Sequence, residues 1–225
     1  MPVYRDIPIH VKTETLLRSE GNTGHPVIIA EAARAADKAV KLSEPAIAYR
    51  YFSARTAGRH VDFDGTSLNI GPMAHLLESA VEAAVGLVTL GPALESEVNN
   101  LQDKNGSLEG YLLNCAAFAA LDNTALYLKT RIEARAAEKG WGVGPALSPG
   151  TLPGWPVQGQ TRLCSLLDLE QVNVTLTRSS LLIPRYSLAF LVGLGPGYSK
   201  SHVDSTCNYC SLKKHCPYRL PEKED

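Results

Sequence analysis

Neither a helix nor a central strand can run through Ser148-Pro149-Gly150-Thr151-Leu152-Pro153-Gly154-Trp155-Pro156-Val157-Gln158-Gly159-Gln160. The stretch holds three prolines, three glycines and one of the chain's two tryptophans. Proline fixes φ and glycine permits backbone shapes that other residues resist, so such a loop can be irregular and still rigid. Backbone amides outside secondary structure, set beside an aromatic face, suit a small polar ligand with a flat portion. The competing reading is a surface connector whose Trp155 tucks into the core. Ser148, Pro149, Gly150 and Trp155 are the candidate binding residues here.

The remaining chain must frame this loop. Its 225 residues, 44% of them hydrophobic, are enough to bury a proper core. Lys+Arg 22 against Asp+Glu 23 gives no electrostatic reason to expect nucleic acid or an anionic membrane. No apolar run approaches the roughly 18 residues that span a bilayer, and Met1 to Arg18 carries no apolar signal block. The expectation is a cytoplasmic protein.

Hydrophobic spacing predicts a short helix from Thr13 to Gly21 with Leu16 and Leu17 inward. It predicts a second helix from Pro26 to Leu42, with Ile29, Ala32, Ala33, Ala36 and Val40 inward. Strands follow at 46–52 and 60–63, then an Asp64-Gly65 turn returning through Ser67 to Ile70. A short helix at Met73 to Ser79, a buried strand at Ala83 to Leu90 and a helix at Ala93 to Leu101 come next. The longest helix opens at Ser107 and closes at Gly140. Trp141 to Leu147 reads as a strand, Gln160 to Leu167 as a helix, and Val172 to Leu176 and Ser187 to Leu194 as strands. Gly193 to Gly197 lacks GxGxxG spacing and reads as a chain exit.

Two features carry chemistry. Asp122 sits on an otherwise apolar face of the long helix with Leu108, Cys115 and Ala119, where a carboxylate needs a partner. That partner is either a local amide or hydroxyl or a ligand. Near the C-terminus, Cys207-x2-Cys210-x5-Cys216 precedes Pro217. C-x2-C places two thiolates close enough for one metal, and five residues let a third return. An iron–sulfur cluster, zinc and free thiols are all open readings. His202, His215, Cys164 and Asp204 are candidates for a fourth ligand.

Taken together, the chain resembles the reactivation (activation) domain family of cobalamin-dependent methionine synthase, in the form of its free-standing bacterial relatives. The resemblance rests on Leu16-Leu17-Arg18 before a Gly, Thr89-Leu90-Gly91, and the Ala-rich helix around Asp122. It continues through Ser148-Pro149-Gly150, Trp155-Pro156, Gln160, Leu166-Leu167, Val174 to Thr177, Ser180, Leu182, Pro184 and Ser187. It implies an α+β fold with a twisted, largely antiparallel sheet packed with helices over residues 1–198, and a short Cys-rich segment at 199–225. It implies a reactivation or accessory role toward a corrinoid (vitamin B12) methyltransferase protein, which carries the cobalamin. S-adenosylmethionine is the implied methyl donor. Asp122 falls where the family has a donor-contacting acid. The family's Arg-Pro-Ala-Pro-Gly-Tyr is matched here by Ala146 to Thr151, so its arginine and tyrosine are absent, and the cysteine cluster has no counterpart there. An iron–sulfur redox or capping subunit that binds no S-adenosylmethionine, or a zinc-knuckle scaffold, are the alternatives.

Overall fold

The computed structural model describes residues 1–17, 25–103, 108–214 and 216. The first elements are β1 (Val3–Tyr4), α1 (Thr13–Leu17), α2 (Pro26–Leu42), β2 (Ala46–Ala57), β3 (His60–Phe63) and β4 (Thr66–Asn69). After them come β5 (Glu82–Thr89), α3 (Pro92–Asp103), α4 (Leu108–Glu138), β6 (Gly142–Val143) and α5 (Gly159–Cys164). β7 (Thr175–Leu176), β8 (Leu182–Ile183) and β9 (Ser187–Gly195) complete the chain, with 3-10 turns at Gly71–Leu77, Leu169–Val172 and Thr206–Asn208.

Seven strands form one antiparallel sheet in the order β4-β3-β2-β5-β9-β6, with β1 beside β2; β7 and β8 pair separately. β5 sits at the centre. It pairs with β2 from Ala46↔Thr89 to Ser53↔Glu82, and with β9 from Glu82↔Leu194 to Thr89↔Ser187. Its apolar run is unbroken because both faces of the sheet are covered. Alternation then deals side chains to two cores. Ala84, Val88, Phe190, Val192 and Leu194 face a layer built from α1, α2, α3 and α4. Ala83, Val85, Leu87, Ala189 and Leu191 face the other way, toward the 71–77 turn, α5 and the Pro/Gly loop. This is an α+β fold with a largely antiparallel sheet packed with helices. No helix among the described residues is long and apolar enough to cross a membrane.

α4 lies close on the sheet because β5 offers a glycine beneath it. A Cβ on Gly86 would stand 2.5 Å from Leu128 Cδ2. The helix ends where Gly140, at φ 66°, lets Trp141 N–H return to the Ala136 carbonyl at 2.9 Å. Glu82, at the mouth of β5, accepts from Arg135 at 2.5 and 3.1 Å and from Lys139 at 2.6 Å. Burial alone would raise that carboxyl, but the two cations hold it below the usual glutamate range.

Several expectations are corrected. In α2 the buried residues are Ala32, Ala35, Ala36 and Ala39, while Ile29 and Val40 are 38% and 39% exposed. Alanines bring α2 onto α4, whose own core face is Ala116, Ala117 and Ala120, and larger residues on that face would hold the helices apart. The strand expected from Trp141 to Leu147 is reduced to Gly142–Val143 and one bridge, Leu147↔Leu191. Pro145 between them has no N–H to donate. The helix at 160–167 stops at Cys164, the 73–79 segment is a 3-10 turn, and Leu169–Val172 is a 3-10 turn where a strand start was expected. The helix end at Gly21, the helix start at Ser107, Arg18, His215 and Pro217 lie outside the described residues.

Candidate functional site

The chain leaves the sheet edge at Leu147, which exchanges two 2.9 Å hydrogen bonds with Leu191. The loop beyond it is tied to itself. Thr151 Oγ1 donates to the Ser148 carbonyl at 2.7 Å, Gly150 N–H to the Trp155 carbonyl at 2.8 Å, and Trp155 N–H to the Leu152 carbonyl at 3.1 Å. It is also fitted closely to the 71–77 turn. A Cβ on Gly71 would lie 2.5 Å from the Gly154 carbonyl oxygen, and one on Gly154 would lie 2.5 Å from Pro72 Cδ. Both glycines have φ near +80°, at 75° and 81°.

Trp155 is 1% exposed and packs with Leu152, Leu163 and Leu191 in the second core. It anchors the loop, and its ring is not an open face for a ligand. Gly159 passes so near that a Cβ there would meet Trp155 Nε1 at 2.2 Å. Ser148 and Pro149 are buried and Gly150 is exposed. Ser148 Oγ is the one buried side-chain nitrogen or oxygen among the described residues that lacks a hydrogen-bond partner. Such an unmet hydroxyl costs about 1–3 kcal/mol, and a ligand atom that reached it would recover that loss.

Asp122 is half-buried on α4. Its neighbour Asn123 accepts from His10 N–H at 3.1 Å. α4 packs on one face of the sheet and Trp155 on the other. Ser148, Pro149, Gly150 and Trp155 are therefore brought together, while Asp122 stands with the helix layer. Arg162 is exposed on α5. Arg185 is held on the helix side, donating to Asn114 Oδ1 at 3.1 Å and lying 5.0 Å from the Tyr186 ring. Tyr186 OH donates to the same Asn114 oxygen at 2.8 Å. This Asn114–Tyr186–Arg185 cluster was missed from sequence. Its signal is an asparagine inside an Ala/Leu run of α4, where a buried amide must be answered.

The C-terminal segment runs beside β6 and ends at the loop. Val143 N–H donates to Lys200 O at 2.8 Å, Ala146 N–H to Asp204 O at 3.1 Å, and Val203 N–H to Glu133 at 2.7 Å. Ser205 Oγ caps the Thr206–Asn208 turn by accepting from Cys207 N–H at 3.2 Å. Cys210 N–H reaches the Cys207 carbonyl at 3.4 Å, and Leu212 N–H donates to Cys210 Sγ at 3.4 Å. Ser211 N–H then donates to the Thr151 carbonyl at 2.9 Å.

Cys207, Cys210 and Cys216 are half-buried and none is in a disulfide. The first two share one turn, with Leu212 N–H aimed at Cys210 Sγ. Among the described residues no three His, Cys, Asp or Glu side chains form a group that could hold a metal, so a closed centre is not assembled. His202 is turned to Asp204, at 3.3 Å, and Asp204 also accepts from Lys200 at 2.7 Å. Cys164 lies in the second core, where burial pushes its thiol up to about 12, far from thiolate chemistry.

No protein-family model matches this chain, and no curated relative is detected by sequence. Among solved structures it resembles one described as the crystal structure of the MetH reactivation domain bound to AdoHcy. The likeness has a TM-score of 0.58 at 14% identity and covers 89% of this chain and 81% of that one. At that identity it is a likeness of fold.

Proposed function

We propose that the protein is a cytoplasmic reactivation or accessory factor for a corrinoid methyltransferase system, acting on cobalamin carried by a partner protein. The observation that carries this reading is the fold shared, over most of both chains, with a reactivation domain described as bound to AdoHcy. In it, residues 1–198 form the activation-domain-like body and 199–225 the cysteine-bearing segment.

The proposed donor cradle is Ser148, Pro149 and Gly150. When bound, S-adenosylmethionine would supply an electrophilic methyl group. The loop would fix its position, Ser148 Oγ would donate or accept one hydrogen bond, and the loop's buried backing would keep water away. Asp122 would contact the donor only from the helix side. Calorimetry with S-adenosylhomocysteine tests both contacts. Ser148→Ala and Asp122→Ala should each weaken binding by about 1–3 kcal/mol where the contact is made. An unaltered Asp122→Ala with a weakened Ser148→Ala leaves the donor on the loop alone, and no heat from the parent protein removes the donor.

A second reading, a capping or redox subunit that binds no S-adenosylmethionine, is favoured by one observation. Ala146, which stands where the family has arginine, is 1% exposed in the helix-side core, and Thr151 spends its hydroxyl on Ser148. In either reading we assign Cys207, Cys210 and Cys216 to one iron–sulfur cluster, with zinc as the competitor. Iron, sulfide and zinc content of anaerobically purified protein, read beside its visible spectrum, decides between them. Colourless protein with one zinc supports the scaffold alternative.

A further inference from the structure

We infer that the Cys207–Cys210 turn is a thiophilic-metal clip joined to the Ser148–Trp155 loop, so that metal on the turn and ligand on the loop bind with linked free energies. The inference rests on the proposed ligand-binding role of that loop. The connection is short. Cys210 is bonded to Ser211, Ser211 N–H donates to the Thr151 carbonyl, and Thr151 is fixed to the Ser148 carbonyl by its hydroxyl at 2.7 Å and its N–H at 3.4 Å. Tyr209, on the same turn, packs against the core that contains Leu152 and Trp155. Two hydrogen bonds and one peptide link therefore separate a metal-ligating sulfur from the unpartnered Ser148 hydroxyl.

The coupling follows from where Ser211 lies. It stands between Cys210 and Cys216, within the short segment that ligation by both sulfurs would close. Residues 211–214 are exposed and make the contact to Thr151 through Ser211 alone among the bonds described. Because the three sulfurs are not gathered into one group, drawing Cys216 to a metal already held by Cys207 and Cys210 would move residues 211–214, and with them the pull on Thr151. Ligation releases the thiol protons to solvent and involves no change of oxidation state for a divalent ion. By reciprocity, a ligand that repositions Ser148 changes metal affinity by the same factor.

Cadmium(II) alone is a suitable probe, because its thiolate charge-transfer band reports ligation directly. It is titrated into the reduced, metal-free full-length protein in a Trp141→Phe background, where the only tryptophan signal comes from Trp155. The expected result is one cadmium per chain, lost in Cys210→Ser, with Trp155 emission changing in step with the charge-transfer band. Ser211→Pro, which removes the donated N–H, should keep the band and lose the tryptophan response. Thr151→Val, which cuts the second bond without touching the turn, should damp it. Saturating S-adenosylhomocysteine should shift the cadmium dissociation constant about fivefold or more. A parent protein that shows no thiolate band, or that binds cadmium with Trp155 silent, overturns the inference. So does Ser211→Pro responding like the parent. If S-adenosylhomocysteine gives no effect and no binding while Trp155 still answers to cadmium, the donor reading fails and the mechanical link stands.

Discussion

Glu82 shows how a single side chain can tie a helix to a sheet. Its folded carboxyl ionises more readily than an exposed one because Arg135 and Lys139 outweigh its burial. The stability it contributes is complete above the ordinary glutamate range and is lost as pH falls through its depressed folded value. Glu82→Gln should lower stability at neutral pH by about 1–2 kcal/mol. The variant should then lose less than the parent between neutrality and about pH 3, as read by urea denaturation at both values. Cys164 makes a second residue-scale case. With its thiol at about 12, it should resist alkylation near pH 8 in metal-free native protein while Cys207 and Cys210 react. Peptide mass spectrometry showing equal labelling would contradict its buried position. The sequence pointed to Ser148 and Trp155 through the company they keep. It could not say that Trp155 faces inward, because burial is decided by the 71–77 turn and Leu191, which approach it only in three dimensions. Asn114 went unread for a similar reason: its partners Arg185 and Tyr186 arrive from far along the chain.

At the scale of elements, hydrophobic period located nearly every helix and sheet strand, because period survives whatever the element packs against. Helix α2 has the bounds its period predicts, Pro26–Leu42, but its inward face is set by alanines, to which Ile29 and Val40 yield the contact. Edges were harder still. β6 shrinks to two residues because a proline and the C-terminal segment decide how far it can pair. The Pro/Gly loop was legible as a rigid irregular element, and its fit against the 71–77 turn explains the rigidity. Gly154→Ala should destabilise the protein by about 1–3 kcal/mol, since φ 81° is unfavourable for alanine and the new Cβ would strike Pro72. Gly140→Ala is the comparison. It has a similar φ of 66° but no atom within 4 Å of the added Cβ, so only the backbone penalty remains. Thermal denaturation of the two variants separates strain from collision.

The whole molecule places one helix layer and one layer of turns and loops on opposite sides of a sheet. Helix α4, which carries Asp122, belongs to the first layer, and Trp155 belongs to the second. A factor built this way is expected to work at a partner's surface. A corrinoid-binding protein should co-migrate with it on native gels, and methyl transfer by the isolated chain to a small acceptor would contradict the proposal. The bridge from Leu147 to Leu191 also bears on how the protein is made. It pins the near end of the loop, and Ser211 reaches the far wall. During synthesis Leu147 emerges long before either partner, so the loop waits for these two contacts until Leu191 and then Ser211 have been made. A polypeptide released early, lacking β9 and the C-terminal segment, would carry every candidate binding residue of the loop with only its internal bonds and the 71–77 turn to hold them.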